Sequence, residues 1–88
     1  MAIVEMYKRK KGFCPYCDRA ERLLRDNGCD SIRYIYVDED PDNLEEMLSR
    51  SSQRSVPQVF INGQHVGGAD ALSTAAASGE LGRLLSSD

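Results

Sequence analysis

The sequence is short of several things, and each shortage excludes something. No apolar run approaches the roughly 20 residues of a membrane-crossing helix, which argues against a helical membrane protein. The start, Met1-Ala2-Ile3-Val4-Glu5, has neither the basic head nor the apolar stretch of a secretory signal, so a soluble, cytoplasmic protein is expected. Positive charge is in deficit: 11 Lys+Arg against 14 Asp+Glu give a net charge of −3. That balance argues against partners gripped by a positive surface, so neither nucleic acid nor an anionic membrane is expected. Cysteine is scarce and odd in number, with only Cys14, Cys17 and Cys29. Three unevenly spaced cysteines make a poor disulfide framework and point to thiol chemistry or a metal. Length adds a bound: 88 residues suffice for one domain and are too few for two with separate cores, so a single domain over 1–88 is expected.

What is present reads as alternating strands and helices. Ile3, Val4, Met6 and Tyr7 predict a buried first strand, ending at the charged loop Lys8-Arg9-Lys10-Lys11-Gly12. From Pro15, the residues Tyr16, Ala20, Leu23, Leu24 and Asn27 follow helical spacing, Glu21 and Arg25 can pair on the wet face, and Gly28 can close the helix. Residues 32–37, apolar on both faces, predict a second buried strand. Asp40 is a candidate N-cap with Pro41 at the first helical position, and Leu44, Met47 and Leu48 supply that helix's apolar stripe. Residues 56–61, Asn62-Gly63 and residues 64–66 predict a hairpin, because Asn-Gly favours the positive φ of a tight turn. Gly67-Gly68 ends it, Asp70 can cap a helix through about residue 78, and residues 80–85 predict a short last helix. The fold class is α/β. A right-handed strand–helix–strand unit gives two parallel strands and the hairpin adds an antiparallel pair.

Cys14-Pro15-Tyr16-Cys17 therefore sits where a strand hands over to a helix N-terminus. Only a thiolate attacks a disulfide, and Cys14, ahead of the helix, can face its unpaired N–H groups and positive dipole end. Cys17, within the first turn, is expected to be more covered. The loop before Cys14 concentrates 4 of the 11 Lys+Arg residues on the same side. Cys14 is thus the expected nucleophile and Cys17 the resolving thiol. Lowering a thiol pKa from ~8.5 to ~5.5 raises the thiolate fraction at pH 7 about 30-fold, while a Brønsted slope of ~0.45 costs about 20-fold in nucleophilicity. Attack gains little. A stabilised thiolate is instead a better leaving group, which suits turnover through a mixed disulfide.

Cys14-Pro15-Tyr16-Cys17 after a short first strand, Ser55-Val56-Pro57-Gln58-Val59-Phe60-Ile61 and Gly67-Gly68-Ala69-Asp70, in that order and spanning nearly the whole chain, together resemble a dithiol glutaredoxin. The resemblance implies a thioredoxin fold, a four-stranded mixed sheet of order 2-1-3-4 flanked by helices. It also implies a glutathione-dependent thiol–disulfide oxidoreductase, with glutathione as reductant and co-substrate. Its partners would be disulfide-bonded or glutathionylated proteins and, through glutathione, glutathione reductase; a monomer is expected. Glutathione carries two carboxylates and an ammonium, so a site needs cations or bare N–H groups at both ends and an acceptor for the amine. By resemblance, Lys11 and Gln53 would hold the glycyl carboxylate, although counting from Tyr7 selects Arg9 in place of Lys11. Val56 would pair its backbone with the tripeptide, Pro57 would be cis and Tyr16 would line the groove. The N–H groups of Ala69 and Asp70 would receive the γ-glutamyl carboxylate, and the Asp70 side chain the ammonium.

Plainer roles stand beside these. Asp70 could be an N-cap only, Pro57 an ordinary strand-start proline and the basic loop a solvated turn. His65 has no placed partner and reads as structural, and Cys29 as a bystander thiol unless exposed. Cys14, Cys17, Cys29 and His65 total the ligands of a Cys₃His zinc site but lack paired short spacings, so no metal is expected. An iron–sulfur carrier bridged by Cys14 and two glutathiones is the alternative from another class. Pro15 and Tyr16 stand where such relatives usually have Gly or Ser.

Overall fold

The computed structural model describes residues 2–86. Strand β1 (Val4–Lys8) leads to helix α1 (Pro15–Asp26), strand β2 (Arg33–Tyr36) and helix α2 (Pro41–Ser51). Strands β3 (Gln58–Ile61) and β4 (Gln64–Gly67) form the hairpin, followed by helices α3 (Ala69–Ala77) and α4 (Glu80–Ser86). The sheet order is β2-β1-β3-β4, with β1 and β2 parallel and the other two pairings antiparallel. Local chemistry accounts for the joints. Asp40 caps α2 by accepting the Asp42 N–H at 2.9 Å, with Pro41 at the first helical position. Asn62 and Gly63 both take positive φ at the hairpin turn, and Gly28 does so after α1.

Strand alternation sorts the core into two faces. Val4, Met6, Val59 and Ile61 point toward α1, α3 and α4, where Ala20, Leu24, Leu72 and Leu81 are buried against them. Tyr7 and Phe60 point to the other face and pack with Met47 of α2, their rings edge to face at 5.7 Å. Burial of each large side chain contributes about 1.5–3 kcal/mol. On the α2 face Arg50 donates to both carboxylate oxygens of Glu5 at 3.0 and 3.3 Å and to the Tyr7 hydroxyl at 2.8 Å, with its guanidinium 3.9 Å from the centre of the Phe60 ring. Tyr7 in turn donates to Glu46, and burial followed by that carboxylate raises its pKa.

Four sequence expectations are corrected. Ile3 is exposed and lies outside β1, held through its backbone by Asn62. The β2 side chains are half-buried or exposed and not buried, because β2 stands at the edge that the order 2-1-3-4 gives it, with no described strand on its far side. Tyr16, which the helical spacing set in line with Ala20 and Leu24, is 60% exposed, and Cys17 is the residue buried with those two on the inner face of α1. The N-cap of α3 is Gly68, with no side-chain cap bond, and Asp70 lies in the first turn.

Candidate active site

The loop between β1 and α1 is pinned to the β2 side of the sheet. The Lys10 and Lys11 N–H groups donate to the Asp38 carboxylate at 2.8 and 3.1 Å, and these two bonds hold its pKa below the usual carboxylate range. Lys8 and Lys10 extend over the Tyr34 and Tyr36 rings, and Lys10 pairs with Glu39 at 2.6 Å. Both have structural roles. The chain turns at Gly12, φ 91°, leaving Phe13 87% exposed just ahead of Cys14.

Cys14 is the N-cap of α1, and its sulfur accepts the Cys17 N–H at 3.3 Å, one of the donors that a helix start leaves unpaired. Cys14 is half-buried and Cys17 fully buried, joined in a disulfide with Cα atoms 5.3 Å apart. Of the two sulfurs, the one at the helix start is the more accessible. Cys17 is the more covered of the two, as its place in the first turn implies.

Beside the pair runs an open groove of about 390 Å³. Tyr16, Gln53, Val56, Pro57, Ala69 and Asp70 line it together, so six residues named from the sequence converge on one surface. The Val56–Pro57 peptide is cis. Gln53 follows the left-handed Ser52 that ends α2, and its N–H donates to Ser51 Oγ at 3.1 Å. Opposite the proline, the N-terminus of α3 presents the N–H groups of Ala69 and Asp70, which no turn of α3 satisfies. The Asp70 carboxylate, 91% exposed, meets Arg19 of α1 at 3.2 Å. An ion pair this wet is weak. Lys11 and Arg9 are not among the groove's lining residues: both are exposed on the loop, and Asp38 anchors the Lys11 backbone.

Gln58 and His65 also line the groove, and neither received a site role from the sequence. Gln58 is buried beneath the groove, and its carboxamide Oε1 lies 2.7 Å from His65 Nε2. The apolar-strand pattern concealed Gln58, and His65 is partnered only through the β3–β4 pairing. Cys29 lies beyond the far end of α1, buried, with its thiol on the Ser31 carbonyl at 3.3 Å and burial pushing its pKa up. Among the described residues no three His, Cys, Asp or Glu side chains are grouped to hold a metal, and no helix is long and apolar enough to cross a membrane.

The glutaredoxin family model matches residues 4–66. Glutaredoxin 3 of Escherichia coli (strain K12) is 44% identical over 85 residues, covering 97% of this chain and 99% of that one. Among solved structures, the glutaredoxin of Brucella melitensis superposes with a TM-score of 0.78 at 38% identity, covering 94% of this chain and 87% of that one. The buckwheat glutaredoxin–glutathione complex gives a TM-score of 0.80 at 29% identity, covering 96% of this chain and 76% of that one. The sheet order is that of the thioredoxin fold. Agreement of this extent in sequence and in fold places the chain in the glutaredoxin family, as a thiol–disulfide oxidoreductase.

Proposed function

We propose that the protein uses glutathione to reduce protein–glutathione mixed disulfides and protein disulfides through a mixed disulfide on Cys14. The convergence of Tyr16, Gln53, Val56, Pro57, Ala69 and Asp70 on one groove beside Cys14 carries the proposal. Its size suits a tripeptide. One end offers helix N–H groups for a carboxylate and the Asp70 carboxylate for an ammonium. The walls between offer the Val56 backbone for strand-like pairing and the Tyr16 ring for apolar contact. The similarity to a glutaredoxin solved as a glutathione complex supports the same ligand. At the glycyl end Gln53 lines the groove, and Lys11 would act by reaching across from its loop.

In the first half-reaction the Cys14 thiolate attacks the glutathione sulfur of a glutathionylated protein. The Cys14–glutathione bond forms, the glutathione–protein bond breaks, and the protein leaves as a thiolate that takes a proton from water. A second glutathione thiolate then attacks the bound glutathione sulfur, releasing glutathione disulfide and the Cys14 thiolate. The Cys17 N–H, aimed at the Cys14 sulfur, stabilises that leaving thiolate. With a protein disulfide, Cys14 forms the mixed disulfide and Cys17 displaces the substrate. The Cys14–Cys17 bond so formed is then reduced by two glutathiones, with release of glutathione disulfide.

The test is turnover of a glutathionylated peptide with glutathione, glutathione reductase and NADPH. Wild type and Cys17→Ser should turn over and Cys14→Ser should not. Turnover supported by thioredoxin reductase and not by glutathione would overturn the proposal.

A further inference from the structure

We propose that Gln58 and His65 are positioning residues for the glutathione groove, a proposal that rests on the glutathione reading above. Gln58 follows the cis proline and is 4% exposed, so its carboxamide has to find partners within the protein. It has two. Its Nε2 donates to the Ser55 carbonyl at 3.0 Å, and its Oε1 faces His65 Nε2 at 2.7 Å. Ser55, Val56, Gln58 and His65 all line the groove, so the bonds lie directly under the backbone expected to meet the tripeptide.

The donors and acceptors allow only one orientation. A backbone carbonyl can only accept, so the Gln58 NH₂ must face Ser55 and its oxygen must face His65. His65 must then donate from Nε2, and in the neutral ring the proton sits on Nε2. Either protonation state of the ring can make this bond. His65 is brought into reach by the sheet: it pairs with Phe60, two residues beyond Gln58 on the same face, and its ring lies 4.9 Å from that of Phe60. The result is a strap from β4 through Gln58 to the Ser55 carbonyl, setting the direction of the Val56 backbone. Without the histidine donor the carboxamide can rotate and release Ser55. Neither residue touches a reacting sulfur in this scheme, so the effect belongs in substrate binding.

The experiment combines kinetics with a spectroscopic signature in full-length protein. His65→Phe keeps a ring against Phe60 and removes the donor. It should raise KM for a glutathionylated peptide about 3- to 10-fold, the range for one lost hydrogen bond, with kcat within about twofold. His65→Gln places a donor at nearly the same reach as Nε2 and should restore KM to within about twofold. Gln58→Glu, isosteric but unable to donate to Ser55, should raise KM at least as much as His65→Phe. If it does not fold, the His65 pair decides alone. In ¹⁵N spectra of the free wild-type protein the neutral His65 ring should be the Nε2–H tautomer, and the Val56 amide should exchange faster in His65→Phe. Unchanged KM in His65→Phe, or an Nδ1–H tautomer, would overturn the proposal. A wild type inactive on the peptide would overturn the glutathione reading instead, and the tautomer and exchange would still decide whether the strap exists.

Discussion

Gly68 stands so close to Pro57 that a Cβ on it would lie 3.1 Å from the Pro57 carbonyl oxygen. The two residues belong to opposite walls of the groove, so the missing side chain sets how near the proline and the α3 N-terminus come. The Gly68 backbone, at φ −93°, is open to any residue, and the constraint is steric. Gly68→Ala should spread the walls at an overpacking cost of about 1 kcal/mol or more. The expected outcome is a rise of about fivefold or more in KM for a glutathionylated peptide with kcat little changed, read from steady-state kinetics.

Arg50 holds α2 to the sheet through Glu5, whose carboxylate is only 13% exposed. Arg50→Met leaves that carboxylate without its hydrogen-bonding partner, although Arg33, 3.8 Å away, retains part of the pairing. Removing one partner of a fully buried pair costs about 3–5 kcal/mol, and the partial exposure here reduces this to about 2–3 kcal/mol. Urea unfolding should show that loss, and the further change Glu5→Gln should recover part of it.

Cys29 is the thiol that the mechanism leaves aside. Burial raises its pKa, so at neutral pH it stays protonated and non-nucleophilic. In fully reduced, folded protein, iodoacetamide at pH 7 should modify Cys14 first and leave Cys29 intact, as read by peptide mass spectrometry. Labelling of Cys29 at the rate of Cys14 would show that the spectator assignment is wrong.

Asp38 ties the basic loop down with its carboxylate in the charged form, its pKa lowered first by the Lys10 N–H and next by the Lys11 N–H. A depressed native pKa contributes stability that is fully present above the unfolded value of about 4 and is lost as pH falls through the native value. Wild type should therefore exceed Asp38→Ala in stability at neutral pH, and the gap should narrow only below about pH 4. Denaturation series at several pH values check both the sign and the window.

Much of the architecture was legible because its signals are local. Asp40-Pro41, Asn62-Gly63 and the helix-closing Gly28 act through their own backbone preferences, and the elements fall where those residues put them. The misjudged positions depend on neighbours distant in sequence. Residues 32–37 read as a buried strand from their composition, yet at the sheet edge the β2 side chains stay half-buried or exposed, and Ile3 reads as part of the first strand yet lies outside it. The paired cysteines were legible from their place before and within the first helix, and most groove residues only through the family resemblance that three short motifs carry. The Gln58–His65 contact was not, because it crosses between strands at a register shift beside Phe60. The anchoring of the loop that carries Lys11 was not legible either, since its partner Asp38 lies 27 positions away.

The central claim is that, from a glutathionylated substrate, Cys14 takes the glutathione and not the protein onto its sulfur. The most direct measurement traps that species: Cys17→Ser cannot resolve it, so this variant is mixed with a glutathionylated peptide in the absence of free glutathione and its mass is read intact. The account predicts one glutathione on Cys14, stoichiometric release of the reduced peptide and no adduct on Cys14→Ser. Capture of the peptide on Cys14, with glutathione released, would contradict it.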